Sequence, residues 1–79
     1  MLRVKGVRRT SKQVVFLVEF DFEGEVFEVE RAISLSRVVT MSNEEVLAEL
    51  KERIDRLRAK MAWERIKERM GEIIGVDVE

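Results

Sequence analysis

Residues 13–30 read QVVFLVEFDFEGEVFEVE, and the period of that stretch decides the fold. Val14, Phe16, Val18, Phe20 and Phe22 occupy alternate positions, the spacing that places side chains on one face of a strand. Glu23-Gly24 then supplies a two-residue turn, because glycine accepts the positive φ that a tight hairpin demands. Folding back about it sets Phe20 opposite Phe27 and Val18 opposite Val29, apolar on apolar, and that agreement specifies the register. The spacing predicts strands at about residues 13–22 and 25–35, sharing an apolar face that continues through Ile33.

Toward the N-terminus, residues 2–9 form a further strand that turns at Thr10-Ser11-Lys12. A three-residue loop there sets Val4 against Val18, Leu2 against Phe20 and, on the other face, Arg3 against Glu19. Charge follows the same division. Residues 1–12 hold Arg3, Lys5, Arg8, Arg9 and Lys12 without an acid, and residues 13–30 hold Glu19, Asp21, Glu23, Glu25, Glu28 and Glu30 without a base. Interleaved with apolar residues at period two, these blocks read as complementary neighbours in one sheet rather than as interaction tails. Residues 36–40 read as a short fourth strand or a loop.

Beyond Thr40 the period changes to that of a helix. Ser42 followed by Glu45 is a capping box, and Met41 with Val46 makes a hydrophobic staple. Glu44, Glu45 and Glu49 suit the positive helix end. Glu49–Arg53 and Glu52–Arg56 stand at i,i+4 in the favourable order. Gly75 suits the left-handed residue that closes a helix, with Val76 reaching back toward Met70, so the helix is expected over about residues 43–74 with a short tail at 75–79. Nothing between Met41 and Met70 is proline or glycine. A helix of that length is about 48 Å long, against about 30 Å for a nine-residue strand. If straight it overhangs the sheet; a kink near Ala59–Ala62 is the other possibility.

That helix carries two apolar stripes. Val46, Leu47, Leu50, Ile54, Leu57 and Met61 share one face. Ala59, Trp63, Ile66, Met70 and Ile73 share another, rotated by about 170°. The first stripe is expected to bury Leu47, Leu50, Ile54 and Leu57 against Leu2, Val4, Phe16, Val18, Phe20, Phe27, Val29 and Ile33. The fold class is therefore α+β, a single domain with a three-stranded antiparallel meander packed on one long C-terminal helix. The second stripe has no evident partner in so short a chain, apart from cover by Val38, Val39, Val76 and Val78.

Composition narrows the function. The chain has 79 residues and no cysteine, histidine or tyrosine. Disulfides, thiolate metal sites and the side chains most used for proton transfer near neutral pH are therefore missing. Ser11, Ser34, Ser36 and Ser42 have no histidine to activate them, so no enzymatic activity, cofactor or small-molecule substrate is expected. Asp21, Glu23 and Glu25 alternate about the glycine turn but match no calcium loop, and a solvated turn is the better reading. Hydrophobic residues at 46% suffice for a core, and charged residues reach 39% with a net charge of only −1. Abundant Glu, Lys and Arg with one Asn and one Gln fits a thermophilic source. No apolar run approaches the roughly 20 residues needed to span a bilayer and no signal peptide is recognisable, so a cytoplasmic setting without membrane contact is expected.

Two functional expectations follow. The first is a protein-interaction module, a homo-oligomer with a dimer favoured, or one bound to a protein target. It would associate through Ala59, Trp63, Ile66, Met70 and Ile73. The outer sheet face, where Val7, Val15, Leu17 and Val26 are too apolar for a wet surface, is a candidate docking surface on the second copy. The second expectation is nucleic-acid binding. Between residues 51 and 69 bases outnumber acids eight to four, an electrostatic footprint that would engage Arg58, Lys60, Arg65, Lys67 and Arg69 together with the hairpin tip at Arg8, Arg9 and Lys12.

Overall fold

The computed structural model describes all residues, 1–79. Three antiparallel strands, β1 (Leu2–Arg9), β2 (Gln13–Phe22) and β3 (Glu25–Ser34), lie in the order β1-β2-β3. A single helical turn, α1 (Leu35–Val38), leads to the long helix α2 (Asn43–Gly71). The architecture is the α+β meander with one long helix that the periodicities predict.

The β2–β3 hairpin follows the expected register, with Phe20 opposite Phe27 and Val18 opposite Val29. Glu23 and Gly24 both take positive φ, 50° and 82°, the requirement of a turn whose twist matches the flanking strands. The Phe20 and Phe27 rings stack with centroids 5.6 Å apart.

The β1–β2 hairpin matches the expectation only at its open end, where Leu2, Arg3 and Val4 face Phe20, Glu19 and Val18. Nearer the loop Arg9 faces Val14 rather than Gln13, so the connection holds four residues instead of three. It is closed by the Thr10 N–H donating to the Gln13 carbonyl (2.8 Å) and by the Gln13 N–H donating to the Thr10 hydroxyl (3.1 Å). A β-bulge at Lys5 takes up the difference. This extra residue has an electrostatic consequence. Glu19 and Glu28 stand directly opposite one another, an arrangement that is unfavourable unless neutralised. Lys5 Nζ lies 2.6 Å from Glu28 and 3.5 Å from Glu19, and Arg3 adds a 2.8 Å bond to Glu19. Beyond the bulge, Val7 falls opposite Phe16 rather than on the outer face.

One sheet face carries the core. Val14, Phe16, Val18, Phe20 and Ile33 are buried against Val46, Leu50 and Ile54, and Leu2, Val4, Val29, Phe27, Leu57 and Met61 pack around them. Leu47 departs from expectation: it is 53% exposed. Val46 and Leu47 sit about 100° apart on the helix, and the helix turns Val46 into the core, so Leu47 is carried to the flank. Residues 35–38 form α1 rather than a fourth strand. The turn is anchored by the Leu35 N–H on the Lys12 carbonyl (2.9 Å) and by Arg37 on Glu49 (2.5 Å). Val38 packs on the core while Val39 stays exposed.

Helix α2 begins where the capping box predicts. The Glu45 N–H donates to the Ser42 hydroxyl (3.1 Å), and the Ser42 N–H donates to the Glu45 carboxylate (3.2 Å). It runs without interruption past Ala59–Ala62 and ends at Gly71, three residues short of the expected limit, because residues 72–75 tighten into turns closed by left-handed Gly75 (φ 81°). The helix outruns the sheet. The molecule measures 59 × 23 × 21 Å with a radius of gyration of 17.4 Å, whereas a compact chain of this length would have about 12 Å. No helix is long and apolar enough to cross a membrane.

Candidate interaction surface

Past Ala62 every residue of the chain is exposed. Trp63, Ile66, Met70 and Ile73 are 56%, 40%, 36% and 59% accessible, and Ala59 is open to solvent as well. None of the intramolecular covers reaches them. The helix does not break, and Val39, Val76 and Val78 are themselves exposed. Of the second stripe, Trp63, Ile66 and Met70 are thus an apolar ridge on a helix that has left its sheet, whereas Ile73 falls in the turn beyond Gly71, and contiguous patches of this kind mark contact sites.

Arginines brace the point of departure. Arg58 donates through Nε to the Asp21 carbonyl (3.0 Å) and through Nη2 to the Met1 carbonyl (2.8 Å) and the Asp21 carboxylate (3.1 Å). Its guanidinium lies 5.6 Å from the Phe20 ring centroid. Two turns further on, Arg65 pairs with Glu23 and lies over the Phe22 ring at 5.2 Å. The cation–π geometry lets each guanidinium cover an aromatic edge of the core while keeping its charge satisfied. Asp21 and Glu23, at the turn between β2 and β3, therefore hold the helix to the sheet.

These contacts divide the basic residues expected to face nucleic acid. Arg8 pairs with Glu30 (2.9 Å), Arg58 with Asp21 and Asp55, Arg65 with Glu23, and Lys67 with Glu64 (3.5 Å). Arg9, Lys12, Lys60 and Arg69 have no ion-pair partner, and they do not form one surface. Arg9 and Lys12 sit at the β1–β2 loop, where the chain enters α1. Lys60 and Arg69 lie on the helix beyond the opposite end of the sheet, where Arg58 and Arg65 reach Asp21 and Glu23.

The outer sheet face is also differently disposed from the expectation. Arg8 and Glu30 belong to the two edge strands, so their ion pair crosses β2, as does that of Lys5 with Glu28. Beneath this lattice Val15 is buried and Leu17 half-buried, and only Val26 remains a free apolar side chain there. The charge pattern of the sequence is spent on bracing the sheet.

A groove between β1 and the start of α2 was not foreseen. Leu2, Val4, Val18, Leu47, Ala48 and Leu50 line a depression of about 460 Å³ with Glu44 and Lys51 on its rim. It continues past Val4 and Leu47 toward Phe16 and Val46. The signal in the sequence was the width of the first stripe: Val46 and Leu47 cannot both point at the centre of one sheet face. No known protein family, functionally described protein or solved structure matches the chain.

Proposed function

We propose that the protein is a non-enzymatic protein-interaction module that assembles with itself, a homodimer being favoured, through the second half of α2. The observation that carries this reading is the ridge of Trp63, Ile66 and Met70 on the helix, continued by Ile73 in the turn beyond it, with no part of its own chain over these side chains. Tryptophan in such a position is a preferred anchor of protein contacts.

Magnitudes say how much more is needed. Fully burying such a side chain contributes about 1.5–3 kcal/mol, and these are already partly covered, so about 1 kcal/mol each remains. Eight side chains in a dimer then contribute about 8 kcal/mol, against an association cost of at least about 4 kcal/mol. The ridge alone supports a dimer no tighter than about millimolar. A useful dimer needs the ridge to meet a shaped apolar surface rather than a second ridge.

The test is light scattering on the wild type and on a Trp63→Glu, Ile66→Lys double variant. A wild-type dimer that becomes monomeric with its helical circular dichroism retained supports the reading. A wild type that is monomeric at high micromolar concentration, with blue-shifted tryptophan emission, overturns it. Binding to nucleic acid is the second reading, resting on Arg9, Lys12, Lys60 and Arg69, which no acid of the chain neutralises. Phosphate contacts weaken steeply with salt, so retardation of DNA or RNA at low salt that disappears at moderate salt would favour it, and none at low salt would remove it.

A further inference from the structure

The groove and the ridge occupy adjoining sides of α2. Around the helix the groove wall of Glu44, Leu47, Ala48 and Lys51 is centred about 80° from the ridge of Trp63, Ile66 and Met70. The groove opens on the flank of edge strand β1, since Leu2 and Val4 of β1 form its opposite wall, and the ridge lies next to the helical wall on the side of the helix turned away from the sheet. Their lengths also match. The ridge from Trp63 to Met70 and the wall from Glu44 to Lys51 each span seven residues, about 10 Å of helix.

From this we infer that the occupant of the groove is the ridge of a second copy, in a two-fold dimer whose α2 helices run antiparallel. The inference rests on the self-association proposed above and names its geometry. A two-fold contact is reciprocal, so each copy offers one groove and one ridge and both are filled. Setting Ile66 of one copy over Leu47 of the other places the axis between Arg56 and Leu57. The overhanging half of each helix then lies along the groove flank of the other copy. Apolar residues alone define that register, yet it also brings opposite charges together. It sets Glu44 of one copy opposite Arg69 of the other, and neither has an ion-pair partner within its own chain. Ala48, Ala59 and Ala62 lie along the contact line, small enough for two helices to approach closely.

Because the chain contains no cysteine, introduced thiols report the geometry directly. In the antiparallel register, Glu44→Cys with Arg69→Cys places a thiol of each copy within reach of one on the other. A short bis-maleimide should then link the double variant into covalent dimers. Either single variant should stay unlinked, because its two thiols are about 37 Å apart along the helices. Linking of the Glu44→Cys single variant would mean parallel helices and would overturn the inference.

Charge supplies a second arm. Glu44→Arg and Arg69→Glu should each weaken the dimer about three- to tenfold at low salt, and the two together should restore it. Leu47→Lys should abolish the dimer while leaving the fold intact, since Leu47 is half exposed in the protomer. If the wild type is dimeric and Trp63→Glu, Ile66→Lys breaks it, but Leu47→Lys does not and the double cysteine variant fails to link, the groove assignment falls while self-association stands. A monomeric wild type removes both.

Discussion

Phe20 and Leu47 show how unevenly one stripe or face is spent. Phe20 is buried, stacked on Phe27 and covered by the Arg58 guanidinium. Phe20→Ala should cost about 3–5 kcal/mol, the range for large-to-small changes in a core, and a denaturant midpoint close to wild type would show that the packing is not as described. Leu47→Ala should cost about 1 kcal/mol or less, as partly exposed sites do, whereas Leu50→Ala in the same stripe should cost about 2–5 kcal/mol. The titrating groups behave just as locally. The Asp55 carboxyl is held below the ordinary carboxylate range because Lys51 donates to it at 2.7 Å and Arg58 lies beside it. A depressed carboxylate contributes stability above its unfolded value of 3.8, and the contribution is lost as pH falls through the lower folded value. Thermal melts should therefore lose stability below about pH 4, and Asp55→Asn should flatten that dependence.

At the scale of elements, α2 is two helices in one. Its first half is capped and buried; beyond Leu57 it is held by Met61 at the edge of the core and by Arg58 and Arg65 at the sheet's end. Ser42→Ala removes the hydroxyl that accepts the Glu45 N–H and should destabilise by about 1 kcal/mol, read as a shifted denaturation midpoint. Amide exchange should separate the halves. In a monomeric variant, amides from Val46 to Leu57 should be protected to nearly the global limit, and those from Trp63 to Gly71 should exchange much faster, because helix without packing is marginal. Uniform protection along the helix would show that the second half has found cover. The helix start, the β2–β3 turn and the continuity of α2 were all legible in the sequence, since caps, turn residues and helix formers act over four residues or fewer. The bulge at Lys5 was not, because it follows from the four-residue loop between β1 and β2, which shifts the pairing at one end of the hairpin but not the other.

The whole molecule is elongated well beyond what its length requires, with a radius of gyration of 17.4 Å. Small domains are hard to stabilise alone, and this one leaves the end of its longest element uncovered. Small-angle scattering of the Trp63→Glu, Ile66→Lys variant should retain a value near 17 Å, since the overhang is a property of the protomer. Contraction toward about 12 Å, the size of a compact chain of this length, would show that the helix folds back on its own sheet. The ridge itself was read from the sequence, by its rotation from the first stripe. The groove that complements it was not, because it depends on where the helix axis crosses the strands.

By itself the sequence determined the three strands and their order, the β2–β3 register, the start of the helix and its two apolar faces. Each follows from a period of two or 3.6, or from a turn or cap whose partners are neighbours in the chain. Only the tertiary structure decided which arginines are spoken for, which of Val46 and Leu47 enters the core, and on which flank the groove opens. Those outcomes turn on contacts between residues tens of positions apart, such as Arg58 with Asp21 and Arg53 with the Ala32 carbonyl. A helix over a narrow sheet can cover only part of a broad apolar stripe. Its lateral placement, set by these long-range contacts, decides which part is left for another molecule.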